Sequence, residues 1–151
     1  MDSLEESSLN ERFGESFWKR FQDFRNIEFQ SIPSYTPFIS ASQEFALLRD
    51  IELCYAAKAY YACLVLVYAS VEIQIEYVKK IPKHKVKSFL SETSIQEDHD
   101  WLRKLRNDIM HGNINANVKY HSSEDGEVVL EAYCIRAFKL MFKLPLLNVN
   151  Q

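Results

Sequence analysis

One short segment carries side chains of the kinds that act on phosphate esters: WLRKLRNDIMHGN, residues 101–113. On a helix of about 100° per residue, Arg103, Asn107 and His111 follow one another at i, i+4 and i+8 and form a polar stripe. Arg106 lies roughly 140° from His111 around the same helix, within reach of its long side chain. The helix end therefore presents a fixed cation, an amide and an imidazole together.

These groups match the requirements for cleaving RNA without a metal ion. Arginine offers planar donors to phosphate, and histidine, with a reference pKa of about 6.5, exchanges protons near neutral pH. One group must deprotonate the 2′-hydroxyl, one must stabilise the charge at phosphorus, and one must protonate the leaving 5′-oxygen. The same spacing also occurs at ordinary helix ends, where the Arg and His are only surface residues and a cap.

The rest of the chain predicts the scaffold that holds this segment. Its 151 residues are 47% hydrophobic and 26% charged, which is typical of one globular domain. Only three Gly and four Pro occur, which argues against many short strands and favours long helices joined by few loops. We expect an all-α, compact bundle of about five helices in a single domain over residues 10–146, with a frayed N-terminus at residues 1–9 and a tail at residues 147–151.

Hydrophobic periodicity places the first helices. The first begins at Asn10, and residues 31–40, with two prolines, form a loop. Residues 43–80 contain neither Gly nor Pro, and as one helix they would exceed about 50 Å. We therefore expect a break near residues 57–60 and an antiparallel pair whose second member is the central helix. Its apolar run, residues 59–71, is shorter than the roughly 20 residues of a membrane span. The first helix should bury a stripe of four phenylalanines: Phe13, Phe17, Phe21 and Phe24.

Residues that typically begin or end helices divide the second half of the chain. Pro82 should end the central helix, and a short helix should follow near residues 85–90. Thr93 or Ser94 should cap the helix that carries the polar stripe. That helix should stop at Gly112, in the left-handed conformation that glycine adopts most easily. A final helix should follow an Asn-rich loop.

Charge is unevenly distributed along the chain. The net charge is −3, so no overall basic field attracts nucleic acid. Residues 79–121, however, hold nine Lys and Arg against five Asp and Glu, a net charge of +4. The segment KKIPKHKVK, residues 79–87, is either a solvated linker or an electrostatic guide for phosphate. In the second interpretation Lys83, Lys85 and Lys87 bind the substrate backbone.

The remaining Cys and His residues predict no further chemistry. The three cysteines lie among apolar residues and match no zinc-binding pattern, so we expect reduced thiols, no metal, no cofactor and a cytoplasmic location. The N-terminal MDSLEESSLN is acidic and polar and does not resemble a signal peptide. We expect Trp101 to pack in the core, although a platform for stacking a base is the alternative. The other three histidines belong to no motif and should be surface residues: His84, His99 and His121.

The block LRNDIMHG resembles the Arg–polar–x–x–x–His signature of the HEPN superfamily (higher eukaryotes and prokaryotes nucleotide-binding domains), with Arg106 and His111 at its ends. The stretch AKAYYACLVLVYASVE is similar to the central helix of that superfamily, including a small-x-Glu ending at Ser70 and Glu72. The order of helices also agrees, and the resemblance covers about residues 43–143.

The resemblance implies a HEPN-like bundle that dimerises, with two copies of the motif facing one another across a composite cleft. It also implies a metal-independent endoribonuclease of a toxin–antitoxin or other defence system. Arg106 would then bind phosphate, Asn107 would orient the phosphate or the histidine, and His111 would be the acid/base. Glu72 is either a partner of Arg106 from the central helix or an ordinary solvated residue.

Asn113 stands where one toxin subgroup has the tyrosine that its antitoxin modifies, which puts that route of neutralisation in doubt. We expect Asn113 and Arg103 to contact the substrate. The implied partners are RNA, a second copy of the chain and an antitoxin protein, with no membrane. The alternative is a non-catalytic HEPN module that binds a protein, nucleotide or RNA. The acidity of the chain favours this module, whereas the intact set of Arg106, Asn107 and His111 favours the enzyme.

Overall fold

The computed structural model describes residues 13–31, 42–112 and 124–147, with isolated positions 5, 7 and 10. Within these residues the chain is helical and contains no strand, so the predicted all-α fold is confirmed. The described part contains six α-helices: α1 (Glu15–Ser31), α2 (Ser42–Ala56), α3 (Tyr60–Ile73), α4 (Val86–Ser91), α5 (Gln96–Met110) and α6 (Glu124–Lys143). The predicted loop at residues 31–40 lies almost entirely outside the described residues, as do the residues just before α6.

Helix α3 is the centre of the bundle, as predicted, because α2, α5 and α6 all pack against it. Leu64, Val67 and Val71 are fully buried along it. The predicted break before this helix is confirmed. Lys58 adopts a left-handed conformation with φ of 58°, and the Ala59 N–H donates to the Cys54 carbonyl at 2.8 Å. The chain therefore reverses between α2 and α3.

The helical stretch Tyr60–Val78 is longer than the predicted apolar run. Its 19 residues are long and apolar enough to cross a membrane, judged by length and composition. The same composition suits the central helix of a bundle, where most faces meet other helices. Within the described structure, three helices pack against the α3 part of this stretch: α2, α5 and α6.

The end of this stretch departs from the prediction that Pro82 terminates the helix. The backbone widens into a π-helical segment, Gln74–Val78, and Lys80 then turns the chain with φ of 54°. The Lys79 ammonium donates to the Pro145 carbonyl at 3.1 Å. The helical stretch thus ends at Val78, before Pro82, and Lys79 joins its end to the 3₁₀ turn that follows α6, Leu144–Leu146.

The predicted phenylalanine stripe of α1 is only half buried. Phe17 and Phe24 are buried, and Phe24 packs edge-on against Phe138 with ring centroids 4.9 Å apart. Phe21 is partly exposed, and Phe13 is 56% exposed. The expectation of four core residues is therefore wrong for Phe13, which lies before the first residue of α1, Glu15.

A buried ionic cluster joins α1 to α2. Glu52 is 1% exposed, and both Arg25 and Arg49 donate to its carboxylate. The second arginine also pairs with Glu28 at 3.3 Å. We call these four residues the Glu52 cluster. Every charge in it has an opposite charge beside it, as burial of an ionised carboxylate requires.

Helix α5 is fixed on two sides. Leu102 and Leu105 are buried, and Ile109 packs partly against the core, so the predicted apolar stripe is confirmed. On the side of α6, the Arg136 guanidinium donates to Asp98 at 2.7 Å. The predicted burial of Trp101 is partial: its indole lies under the guanidinium carbon of Arg136, 4.2 Å away, and edge-on to the Tyr133 ring.

The predicted N-cap of α5 is wrong. The Thr93 hydroxyl donates to the Leu90 carbonyl at 2.8 Å and so closes α4 instead. Helix α5 begins at Gln96, preceded by Ile95, without a side-chain cap from either Thr93 or Ser94.

Candidate functional site

The motif lies at the C-terminal end of α5, where the helix leaves the bundle. Arg106 is half-buried, whereas Asn107 and His111 are exposed. The Arg106 guanidinium donates to the Asn107 amide oxygen at 3.0 Å. His111 is the first residue past the helix, and its N–H donates to the Asn107 carbonyl at 3.0 Å. Gly112 follows with φ of +71°, which confirms the predicted left-handed stop. Three motif residues therefore share one helix end, with Arg106 and Asn107 in contact.

A tyrosine from α3 supports the arginine. The guanidinium carbon of Arg106 lies 5.7 Å from the ring centroid of Tyr68, within the range of a cation–π contact. Burial, followed by the charge of Glu72, raises the pKa of Tyr68 to about 12. Tyr68 is therefore a neutral platform on which the cation rests.

His99 contradicts its predicted surface position. It is only 4% exposed, because it lies three residues before Leu102 and so on the inward side of α5. Its ring centroid is 6.0 Å from that of Tyr68. The Nε2 atom lies 3.7 Å from the Glu72 carboxylate, and Nδ1 lies 3.9 Å from Asp100. Neither distance is a hydrogen bond, and within the described structure neither ring nitrogen has a hydrogen-bond partner.

Glu72 connects the two helices electrostatically. Proximity to His99 is the main influence that lowers the pKa of Glu72, opposed by partial burial and assisted by the Tyr68 hydroxyl and the charge of Arg106. In the described part of the chain, however, the only basic side chain within 4 Å of the Glu72 carboxylate is the His99 imidazole, whose Nε2 lies 3.7 Å away. The charge of Arg106 thus lowers the pKa of Glu72, but the two side chains do not form an ion pair. Of the two roles considered from the sequence, the pairing with Arg106 is not formed, whereas the 51% exposure of the Glu72 side chain fits the solvated alternative.

The face of α5 that meets α3 is therefore a second polar stripe, which the sequence reasoning missed. His99, Arg103 and Arg106 follow one another at spacings of four and three, and Tyr68 and Glu72 are four apart on α3. The charge of Arg103, like that of Arg106, opposes the rise in the pKa of Tyr68 and so lies near it. We call these five residues the Glu72 cluster. The spacing of the first three was a usable signal that analysis of the motif alone overlooked.

The other predicted substrate contacts are less closely connected to the motif. Lys83 and Lys85 lie in a 3₁₀ turn and Lys87 in α4, and all three are exposed. No hydrogen bond or ion pair among the described residues links them to the motif. Arg103 is 59% exposed, with a guanidinium nitrogen 3.9 Å from the carboxylate of Asp100.

Several sequence predictions concern residues away from this helix end. Asn113 and His121 lie outside the described residues, whereas His84 is exposed as predicted. All three cysteines are free, and two of them, Cys63 and Cys134, are fully buried. Among the described residues, no group of three or more His, Cys, Asp or Glu side chains could hold a metal ion.

No protein-family model matches the chain, and no curated protein or solved structure matches it either. The resemblance to the HEPN superfamily therefore depends on the motif residues and on the order of the helices that hold them. The motif residues are Arg106, Asn107 and His111.

Proposed function

We propose that the chain is a metal-independent endoribonuclease of HEPN type that acts in a toxin–antitoxin or other defence system. The observation that supports this proposal best is the C-terminal end of α5, where the Arg106 guanidinium contacts the exposed Asn107 amide and the exposed His111 is the first residue past the helix. Contacts with Tyr68 and Asn107 orient the arginine. Because no described carboxylate pairs with it, its charge is available to a phosphate.

In the proposed reaction, the RNA 2′-oxygen attacks the adjacent phosphorus, and the bond from phosphorus to the 5′-oxygen breaks. A neutral imidazole accepts the proton of the 2′-hydroxyl, and a protonated imidazole gives a proton to the leaving 5′-oxygen. Arg106 stabilises the negative charge on the nonbridging oxygens, and Asn107 keeps the guanidinium oriented. The products carry a 2′,3′-cyclic phosphate and a 5′-hydroxyl.

The two proton transfers favour a symmetric dimer. One chain supplies a single His111, whereas the reaction uses two proton-transfer groups. A two-fold interface sets the same patch of each chain against its copy and so doubles every residue in it. Met110, 56% exposed beside the motif, offers apolar surface for such a contact. The exposed lysines of the segment KKIPKHKVK would then bind the RNA backbone.

End-group analysis of RNA incubated with the protein in EDTA tests this proposal. Wild type should generate 2′,3′-cyclic phosphate and 5′-hydroxyl ends, and His111→Ala should not. His84→Ala is the matched histidine control for the products, because His84 is exposed but outside the motif. At saturating RNA, where a change in binding by the segment KKIPKHKVK does not alter the chemistry, it should generate the same ends as wild type. Cleavage that survives His111→Ala contradicts the catalytic assignment. RNA binding without cleavage by wild type would support the non-catalytic module instead, and a monomer in sedimentation at micromolar concentration contradicts the composite site.

A further inference from the structure

We propose that His99 is a positioning residue that holds the Glu72 carboxylate away from Arg106, so that the guanidinium remains available to a phosphate. This inference rests on the proposed function and deepens it, because it assigns the control of the phosphate-binding cation to a residue outside the motif.

The imidazole of His99 is buried without a hydrogen-bond partner in the described structure. His99 is 4% exposed, and neither ring nitrogen has a hydrogen-bond partner in the described structure. Buried polar groups are hydrogen-bonded in the large majority of cases. The carboxylate facing Nε2 is that of Glu72, 3.7 Å away. A small rotation of this half-exposed carboxylate would complete a charge-assisted bond.

His99 and Arg106 lie beside the same carboxylate. Tyr68, four residues before Glu72 on α3, contacts both the Arg106 guanidinium, 5.7 Å from its ring centroid, and the His99 ring, 6.0 Å away. In agreement with this geometry, both residues lower the pKa of Glu72, His99 more than Arg106. The His99 side chain is enclosed, whereas the Glu72 side chain is 51% exposed and has room to move. An ion pair between Glu72 and Arg106 would occupy donors that a phosphate needs. The buried ring therefore determines whether the carboxylate stays beside Nε2 or turns to pair with Arg106.

The remaining polar groups of this region agree with the assignment. Tyr68 carries the guanidinium on its ring, while its hydroxyl helps to lower the pKa of Glu72. Asp100, the other carboxylate near His99, is 3.9 Å from Nδ1 and equally far from Arg103. Asp100 thus lies on the opposite side of the imidazole from Glu72, and the two do not compete for one nitrogen.

The test is the response of RNA binding to paired substitutions. His99→Phe retains a ring of similar size but removes both nitrogens, so Glu72 should turn to Arg106. Affinity for an uncleavable 2′-O-methyl RNA, measured by fluorescence anisotropy, should fall roughly two- to fivefold, the strength of an exposed ion pair. The KM for cleavable RNA should rise by the same factor with kcat little changed. His99→Phe combined with Glu72→Gln should recover wild-type affinity, because glutamine cannot form the competing ion pair.

The double variant separates positioning from packing. If His99 only fills space, the loss in His99→Phe persists when Glu72→Gln is added, and the proposal is overturned. Unchanged affinity in His99→Phe overturns it as well. If His99→Phe does not fold, His99→Gln replaces it: its side-chain amide should retain part of the hold on Glu72 and give a smaller loss, again reversed by Glu72→Gln.

A titration independent of RNA distinguishes failure of this inference from failure of the proposed function. The carboxyl carbon of Glu72, followed by NMR, should titrate at a higher pH in His99→Gln than in wild type. If that shift occurs but wild-type protein does not bind RNA, the contact is real and the proposed function fails, together with the RNA role of His99. If RNA is bound and the titration does not move, His99 does not control Glu72 and only this inference fails.

Discussion

Two clusters of arginine and glutamate in this molecule use the same residue types in opposite ways. In the Glu52 cluster, Arg25 and Arg49 both donate to a carboxylate that is almost fully buried. In the Glu72 cluster the carboxylate is about half-exposed, and no described arginine pairs with it. In the Glu52 cluster, carboxylates within the cluster neutralise the arginines. In the Glu72 cluster, the positive charge lies at the surface of the bundle.

The difference follows from the cost of removing a charge from water. A buried carboxylate is tolerated only when opposite charges and hydrogen bonds replace its hydration. Glu52 therefore needs both of its arginines, and the cluster holds α1 and α2 together. Glu72 retains part of its hydration and needs neither Arg103 nor Arg106. An arginine becomes available for a ligand when its nearest carboxylate is satisfied elsewhere.

The largest expected effect is on catalysis by the Glu72 cluster. Arg106→Ala should lower the rate of RNA cleavage roughly 10²- to 10³-fold, as removal of a donor to a developing oxyanion does. The melting temperature should stay near that of wild type, because the side chain is half-buried and outside the apolar core. Single-turnover cleavage and thermal unfolding of the same sample measure both quantities.

Arg25→Ala is the matched control for that substitution. It should destabilise the protein while leaving the rate per folded molecule unchanged, since Arg25 belongs to the Glu52 cluster. If the two variants lose activity and stability in the same proportion, the functional distinction between the clusters is wrong.

The next effect is on stability, for which the Glu52 cluster should matter more than the Glu72 cluster. Glu52→Gln removes the only carboxylate that Arg25 pairs with in the described residues, and it also removes one of the carboxylates that pair with Arg49. We expect a loss of about 3 kcal/mol, the lower end for a broken buried pair, because these arginines are 36% and 24% exposed. Urea unfolding measures it. Glu72→Gln should cost much less, and equal losses would contradict the comparison.

How far the sequence predicted these features depends on whether they are local. The reversal near Lys58 and the stop at Gly112 follow from chain length and from conformational preferences within a few residues. The Glu52 cluster joins Arg25 to a carboxylate 27 positions away, and no local spacing indicates that pairing. Its existence depends on which faces of α1 and α2 meet, and periodicity does not specify that.

In the candidate site, too, features within one helix were predicted and contacts between helices were not. The cation, amide and imidazole at the end of α5 were predicted from spacing within one helix, and the structure places them there. The role of Tyr68 required knowing that α3 crosses that face of α5. His99 was judged by its lack of a motif, although its spacing of three from Leu102 already indicated an inward side chain.

A smaller effect tests whether the left-handed conformation of Gly112, where the chain leaves α5, is required for stability. Gly112→Val should destabilise the protein by about 1 kcal/mol or more, because a β-branched residue is strained at positive φ. A Cβ at this position would meet no atom within 4 Å, so the cost comes from the backbone alone. Gly112→Asn should lose less, since asparagine tolerates the left-handed region. Equal melting temperatures for Gly112→Val and wild type would show that this conformation is not required.

The smallest effect is the acid dependence of stability that Glu72 contributes. Its pKa is lowered in the folded protein from an ordinary value of 4.5, chiefly by His99. A group with a lowered pKa stabilises the fold above its ordinary pKa, and that contribution disappears as the pH falls through the folded value. Between about pH 5 and pH 3, the free energy of unfolding should therefore decline less in Glu72→Gln than in wild type. Because the carboxylate is half in water, the difference should be small and should shrink in 1 M salt. His99→Gln, whose amide retains only part of the hold on Glu72, should give a curve between those of wild type and Glu72→Gln. Parallel curves for wild type and Glu72→Gln would mean that water, rather than His99, sets the charge of this carboxylate, and the contrast with Glu52 would then be one of burial alone.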